Sequence, residues 1–181
     1  MTMFNNGLLF SSGSETVLID SGKDPSDQKR IIQQVNEYGF DIPKAVVEFY
    51  SPDTLIAQIP ASKRLFQADT TITLSSMVIV RPEEKVIKIW SRKCSMLMVS
   101  GTSRLKEEEL YKADIAFLWV YRFAPKQQQQ ITSWLNYARP KRCILVPGSF
   151  LPRVHLAVMQ RFAAARPGVE VRSKTRQIVV Q

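Results

Sequence analysis

The stretch Ser95–Phe123, SMLMVSGTSRLKEEELYKADIAFLWVYRF, constrains the fold more than any other part of the chain. It holds two apolar runs, each too short for a buried helix and too continuous for a strand with one wet face. The order read here is buried strand, Gly-Thr turn, helix and second buried strand. This layout puts Thr102 and Tyr121 directly after strand ends, where open α/β sheets collect their ligand-binding and catalytic groups. Neither side chain is a good metal ligand, so the place is right for chemistry and the residues are wrong for metal chemistry.

The same alternation continues downstream. A helix in PKQQQQITSWLNYA leads to the strand RCILVP, and a helix in VHLAVMQRFAAA leads to the strands VEVRS and QIVV. Ile131, Trp134, Leu135 and Ala138 share one face of the first helix, and Val154, Val158, Phe162 and Ala165 one face of the second. Gln127–Gln130 fill less than two turns and read as a solvated face.

Upstream, GLLFSS and TVLID form a hairpin around Gly13-Ser14. Asp24 caps a helix that has Pro25 at its first position, Ile31, Ile32, Val35 and Tyr38 as its stripe, and Gly39 as its stop. KAVVEFY returns as a buried strand. From Thr70 to Val99 the chain is β-rich, with TTITLSSMVIV, a turn at RPEEK, then VIKIW and CSMLMV. Two β-rich stretches, each followed by helices, predict two sheets covered by helices on the outside. No linker divides the chain, so one domain over 1–181 is expected, large enough to fold without disulfides or a structural metal.

Charge is unevenly placed within the formal net of +9. From Arg139 onward there are nine basic residues (Arg139, Lys141, Arg142, Arg153, Arg161, Arg166, Arg172, Lys174, Arg176) against Glu170 alone, which gives +8. Such an end attracts polyanions, with Arg153, Arg161, Arg172 and Lys174 as the expected phosphate contacts. Cys94 and Cys143 lie in apolar runs and read as buried thiols. The opening MTMFNNGLLFSSG lacks the basic start and long apolar core of a leader, and no run reaches the ~18 apolar residues of a membrane span. The expected setting is the cytoplasm, or the soluble part of a bacterial inner-membrane protein.

Several activities find no support. With His155 as its one histidine, the chain cannot assemble the usual zinc ligand set. Gly22, Gly101 and Gly148 are isolated, so no phosphate loop or dinucleotide fingerprint is present. Ser149 lacks a G-x-S-x-G elbow. Neither a cofactor nor a catalytic residue is assigned.

The segment order GLLFSSGSETVLIDSG, NEYGFDIPKAVVEFY, SMLMVSG, ADIAFLWV, ARPKRCILVPG and LAVMQRFAAA…VEVRS…QIVV resembles the C-terminal metallo-β-lactamase-fold domain of ComEC-family DNA-uptake proteins. The resemblance implies an α/β, metallo-β-lactamase-like αββα sandwich, here somewhat shortened between Leu55 and Thr70. It also implies metal-ligand positions that this chain fills differently. Tyr50, Pro52, Thr54 and Leu55 stand where the family has its histidine-rich turn, with Asp53 out of phase by one. Thr102 replaces the bridging aspartate, and Tyr121 stands in WVYRFA, where the family reads HHGS. His155 falls near the family's late histidine. The function so implied is a catalytically inactive domain that binds nucleic acid or acts as a scaffold in DNA internalisation, with DNA and a membrane channel domain in the same or a partner chain as the expected partners. Two other readings stay open. One is a hydrolase or nuclease built on Asp20, Asp53 and His155. The other is a protein-interaction module using Tyr121, Phe123 and Phe150.

Overall fold

The computed structural model describes residues 2–3, 8–12, 14–19, 25–37, 39, 41–47, 49, 63–65, 68–148 and 151–172. The chain forms two compact units, Met1–Glu84 with Lys174–Gln181, and Lys85–Ser173.

The first unit is built on a five-stranded sheet of β1 (Thr2–Met3), β2 (Leu8–Ser12), β3 (Glu15–Ile19), β4 (Ala45–Val47) and β5 (Lys63–Leu65), in that order across the sheet. β2 and β3 form the expected hairpin, with Leu9 opposite Leu18. Helix α1 (Pro25–Glu37) then carries the chain over to β4, which runs parallel to β3. The expected stripe explains how α1 docks: Ile31 and Val35 pack with Leu9, Leu18 and Val46, and Ile32 lies at the margin. Gly39 follows the helix at φ +67°, a left-handed conformation that glycine adopts without strain. Asp20, Asp24, Tyr38, Tyr50, Pro52, Asp53, Thr54 and Leu55 lie outside the described residues.

TTITLSSMVIV is not one strand. It folds as a hairpin of β6 (Thr70–Thr73) and β7 (Met77–Glu83). The Glu15 carboxylate makes the turn, accepting the Ser75 amide at 3.0 Å, the Ser76 amide at 2.7 Å and the Ser76 hydroxyl at 2.6 Å. These bonds hold the Glu15 pKa at about 2. The turn expected over RPEEK is narrower, because β7 runs on through Arg81 and Pro82 and the chain reverses at Glu84-Lys85, with Lys85 at φ +63°.

The second unit is a sheet in the order β12-β11-β10-β9-β8. β8 (Val86–Ser91) and β9 (Ser95–Ser100) are antiparallel, whereas β9, β10 (Ile115–Val120), β11 (Arg142–Pro147) and β12 (Val169–Val171) are all parallel. Parallel strands need crossovers, and α2 (Pro125–Ala138) and α3 (Arg153–Ala164) supply two of them. Leu97, Val99, Ala116, Leu118, Val120 and Leu145 form one core with Ile131, Trp134, Met159 and Phe162.

The link from β9 to β10 is not the helix expected over SRLKEEELYKA. It forms two single 3-10 turns, Thr102–Arg104 and Glu109–Tyr111. Its core-contacting residues, Leu105, Leu110, Tyr111 and Ala113, do not extend one helical face over the whole segment, and three consecutive glutamates repel one another, so a helix would gain little by forming. The face of α3 is also rotated from expectation. Val154 is 66% exposed and Ala165 is exposed, while Met159, Phe162 and Ala163 are buried.

Candidate functional site

Parallel strands deliver their C-terminal ends to a single edge, and the loops after β9, β10 and β11 meet there. At the end of β9, the Ser100 hydroxyl lies 2.9 Å from the Tyr121 hydroxyl, which follows β10. Gly101 takes φ +97° and donates its amide to the Trp119 carbonyl at 3.0 Å, which turns the chain away from the sheet. The turn buries Thr102, whose hydroxyl donates to Gln130 Oε1 at 3.4 Å. Gly148, after β11, donates its amide to the Val120 carbonyl and has the Tyr121 ring against it.

The glutamine run belongs to this edge rather than to solvent. Gln129 alone is exposed, whereas Gln127, Gln128 and Gln130 are half-buried. Gln128 Nε2 donates to the Phe123 carbonyl at 3.5 Å. A low-complexity run hides this in the sequence, although four amides at the start of a crossover helix lie where a parallel sheet places its site.

His155, on the first turns of α3, accepts the Phe123 amide on Nδ1 at 3.1 Å. A main-chain amide can only donate, so Nδ1 carries a lone pair and the ring proton sits on Nε2. Phe123 is 1% exposed and packs edge-on against Phe162, with ring centroids 5.2 Å apart, so the expected contact aromatic is a core residue. Tyr121 is 43% exposed. Ser149 and Phe150 lie outside the described residues.

The architecture matches solved structures across nearly its whole length. One is a metal-dependent hydrolase of the β-lactamase superfamily, 10% identical, with a TM-score of 0.54 and 93% of each chain covered. Another, from Parabacteroides distasonis and described as a metal-dependent hydrolase, is 12% identical with a TM-score of 0.53, covering 94% of this chain and 90% of the other. The fold is that of the metallo-β-lactamases. No family model and no curated protein matches the sequence.

In the metallo-β-lactamase fold found here, the described residues hold no group of three or more His, Cys, Asp or Glu side chains that could bind a metal ion. The donor set of the described residues does not fit a two-metal centre. Thr102 and Tyr121 present hydroxyls that already have partners, and the His155 lone pair is taken by a main-chain amide. Cys143 is buried on β11, and burial pushes its thiol up to about 12, so it offers no thiolate. Among its described residues the edge can donate and accept hydrogen bonds but shows neither an activated nucleophile nor a free base.

The cations divide by edge. At the N-terminal edge of the parallel strands they are neutralised or held. Lys141 pairs with Asp114 at 3.0 Å and Arg142 with Glu170 at 2.9 Å, and Arg172, just past the end of β12, also pairs with Glu170. Asp114 is drawn down to about 2 by the Ser95 amide first and by Lys141 next. At the C-terminal edge Arg122, Lys126 and Arg153 are exposed, and none has an acid partner among the described residues. Of the phosphate contacts expected from sequence, Arg153 and Arg161 are exposed on α3, Arg172 is the half-buried partner of Glu170, and Lys174 lies outside the described residues. Arg122 and Lys126 were not singled out from the sequence. Their positions, directly after β10 and in the first turn of α2, are the signal that marks them.

Proposed function

We propose that the chain is a non-hydrolytic domain of metallo-β-lactamase fold that binds nucleic acid through phosphate contacts, in DNA internalisation or as a scaffold of the kind the segment order suggests. One observation carries this reading. From Ile115 to Val169 the chain has eight basic residues and no acid, and Arg122, Lys126 and Arg153, which have no acid partner among the described residues, gather where the fold presents its loops.

The helix starts add a physical reason. Neither α2 nor α3 has an acid in its first turn, and each places a cation there, Lys126 and Arg153. A helix N-terminus prefers negative charge, so this placement is unfavourable until an anion arrives to satisfy both the dipole and the side chains. A phosphate backbone supplies such anions in series, and releasing its counterions makes binding strongly salt-dependent. Among the described residues the exposed aromatic at this edge is Tyr121, while Phe123 and Phe162 are core residues, so no row of stacking rings follows the cations and sequence preference is not expected.

The test is an anisotropy titration of short single- and double-stranded DNA at two salt concentrations, with Arg122→Glu/Arg153→Glu and Arg153→Glu/Lys174→Glu alongside the parent. Affinity should fall steeply with salt, and the first variant should weaken binding to both DNAs alike. Binding indifferent to salt and to charge reversal would leave the basic residues as a solubility feature.

A further inference from the structure

A second cationic place lies at the opposite edge of the same sheet, where α2 and α3 end. A cleft of about 340 Å³ opens between the last turns of α2 and the turn that joins α3 to β12. This is at the lower end of the range that holds small organic ligands. Its apolar lining comes from Leu135, Cys143 and Val169, and its charge from Arg139 and Arg166.

Both guanidiniums are held in place without being neutralised. Arg166 lies over the Phe162 ring, 3.7 Å from its centroid, donates Nη1 to the Phe162 carbonyl at 3.2 Å and reaches the Thr132 hydroxyl with Nη2 at 3.5 Å. Arg139 caps α2 in the left-handed conformation at φ +47° and donates Nε to the Asn136 carbonyl at 3.3 Å. Neither has an acid partner among the described residues, although Lys141 and Arg142, close by in sequence, both do. Two pre-oriented forks without a carboxylate, above an apolar floor, form half of a recognition pair.

We infer that this cleft binds a small monocarboxylate with a compact apolar body, its carboxylate between Arg139 and Arg166 and its body against Leu135, Cys143 and Val169. Two helices end at the cleft, so the negative ends of their dipoles point into it. That field opposes any anion, and a dianion such as phosphate more than a monoanion, so the two arginines outweigh it more readily for a carboxylate than for phosphate. The rival reading is that the arginines only compensate the two helix ends. It predicts a loss of stability when they are removed and no ligand at all. The inference does not depend on nucleic-acid binding at the other edge, and either can fail alone.

The experiment titrates the full chain with hexanoate and with benzoate, and separately with inorganic phosphate and chloride, followed by calorimetry and by amide shifts of Leu135, Arg139 and Val169. The parent should show saturable binding of at least one carboxylate, with shifts confined to the cleft and phosphate weaker. Arg139→Gln, at an exposed position, should keep its fold by circular dichroism and lose about tenfold or more in affinity, as expected when a charged hydrogen-bond partner is removed. Arg166→Lys should weaken binding while retaining the positive charge. The inference is overturned if neither carboxylate saturates, if Arg139→Gln binds as well as the parent, or if chloride and phosphate reproduce the same shifts at equal concentration.

Discussion

A methyl group added to Gly148 would stand 2.3 Å from Cδ1 of Tyr121 and 2.8 Å from its Cε1. The Tyr121 ring therefore rests against bare backbone, and its hydroxyl reaches Ser100 from that position. Gly148→Ala should displace the ring, break the Ser100 bond and cost about 1–3 kcal/mol by overpacking. Denaturant unfolding measures the cost. Tyr121→Ala placed on Gly148→Ala should recover part of it, because the clash has then lost one of its partners. Equal losses in the single and double variants would show that the ring is not the obstacle.

Lys88 lies on β8 at 1% exposure and donates to the Lys112 carbonyl. Burial lowers its pKa from 10.5 to about 8, and Asp114 opposes this only in part. The folded value lies below the unfolded one, so between about pH 8 and 10.5 the unfolded chain binds more protons. Stability contributed by this group should therefore rise with pH across that window, and the penalty of the buried charge is full below it. Comparing unfolding of the parent and Lys88→Met from pH 7 to 10.5 isolates the effect. A difference that stays constant with pH would contradict the assignment.

Where local pattern and tertiary demand agreed, the sequence could be read directly. Pro25 and Pro125 at helix starts, the stripes Ile31/Val35 and Ile131/Trp134, and the continuous apolar strands SMLMV and IAFLWV all take their expected places. α3 was ambiguous because VHLAVMQRFAAA is apolar around most of its circumference, so only packing could choose Met159 and Ala163 over Val154 and Ala165. The site was legible as positions and not as partners. Thr102 and Tyr121 do follow strand ends, but the bonds to Gln130 and Ser100 depend on side chains 28 and 21 residues away. Nothing local in YRF marks Arg122 as a member of the same edge as Arg153; parallel topology alone brings these loops together.

Metal retention tests the donor set. The chain's one imidazole has its Nδ1 engaged, and the Cys143 thiol stays protonated, so after loading with Zn²⁺ or Mn²⁺ and desalting the protein should retain well under one equivalent. Elemental analysis decides this. One tightly held ion per chain at neutral pH would show that residues outside those described complete a site.

The bond from the Phe123 amide to His155 fixes a tautomer that can be observed directly. His155 is the only histidine in the chain, so its ring nitrogens need no assignment by mutation. In the neutral ring a long-range ¹H–¹⁵N correlation should show the proton on Nε2 and an unprotonated Nδ1. His155→Ala should leave the Phe123 amide, part-buried between exposed Arg122 and the core, without its acceptor and cost about 1 kcal/mol. A proton on Nδ1 would instead release the ring from the loop and leave it available as a base, reopening the hydrolytic reading of this edge. With Nδ1 held as an acceptor, His155 joins α3 to the β10–α2 loop and keeps Phe123 in the core, a structural task incompatible with taking a proton from substrate at the same nitrogen.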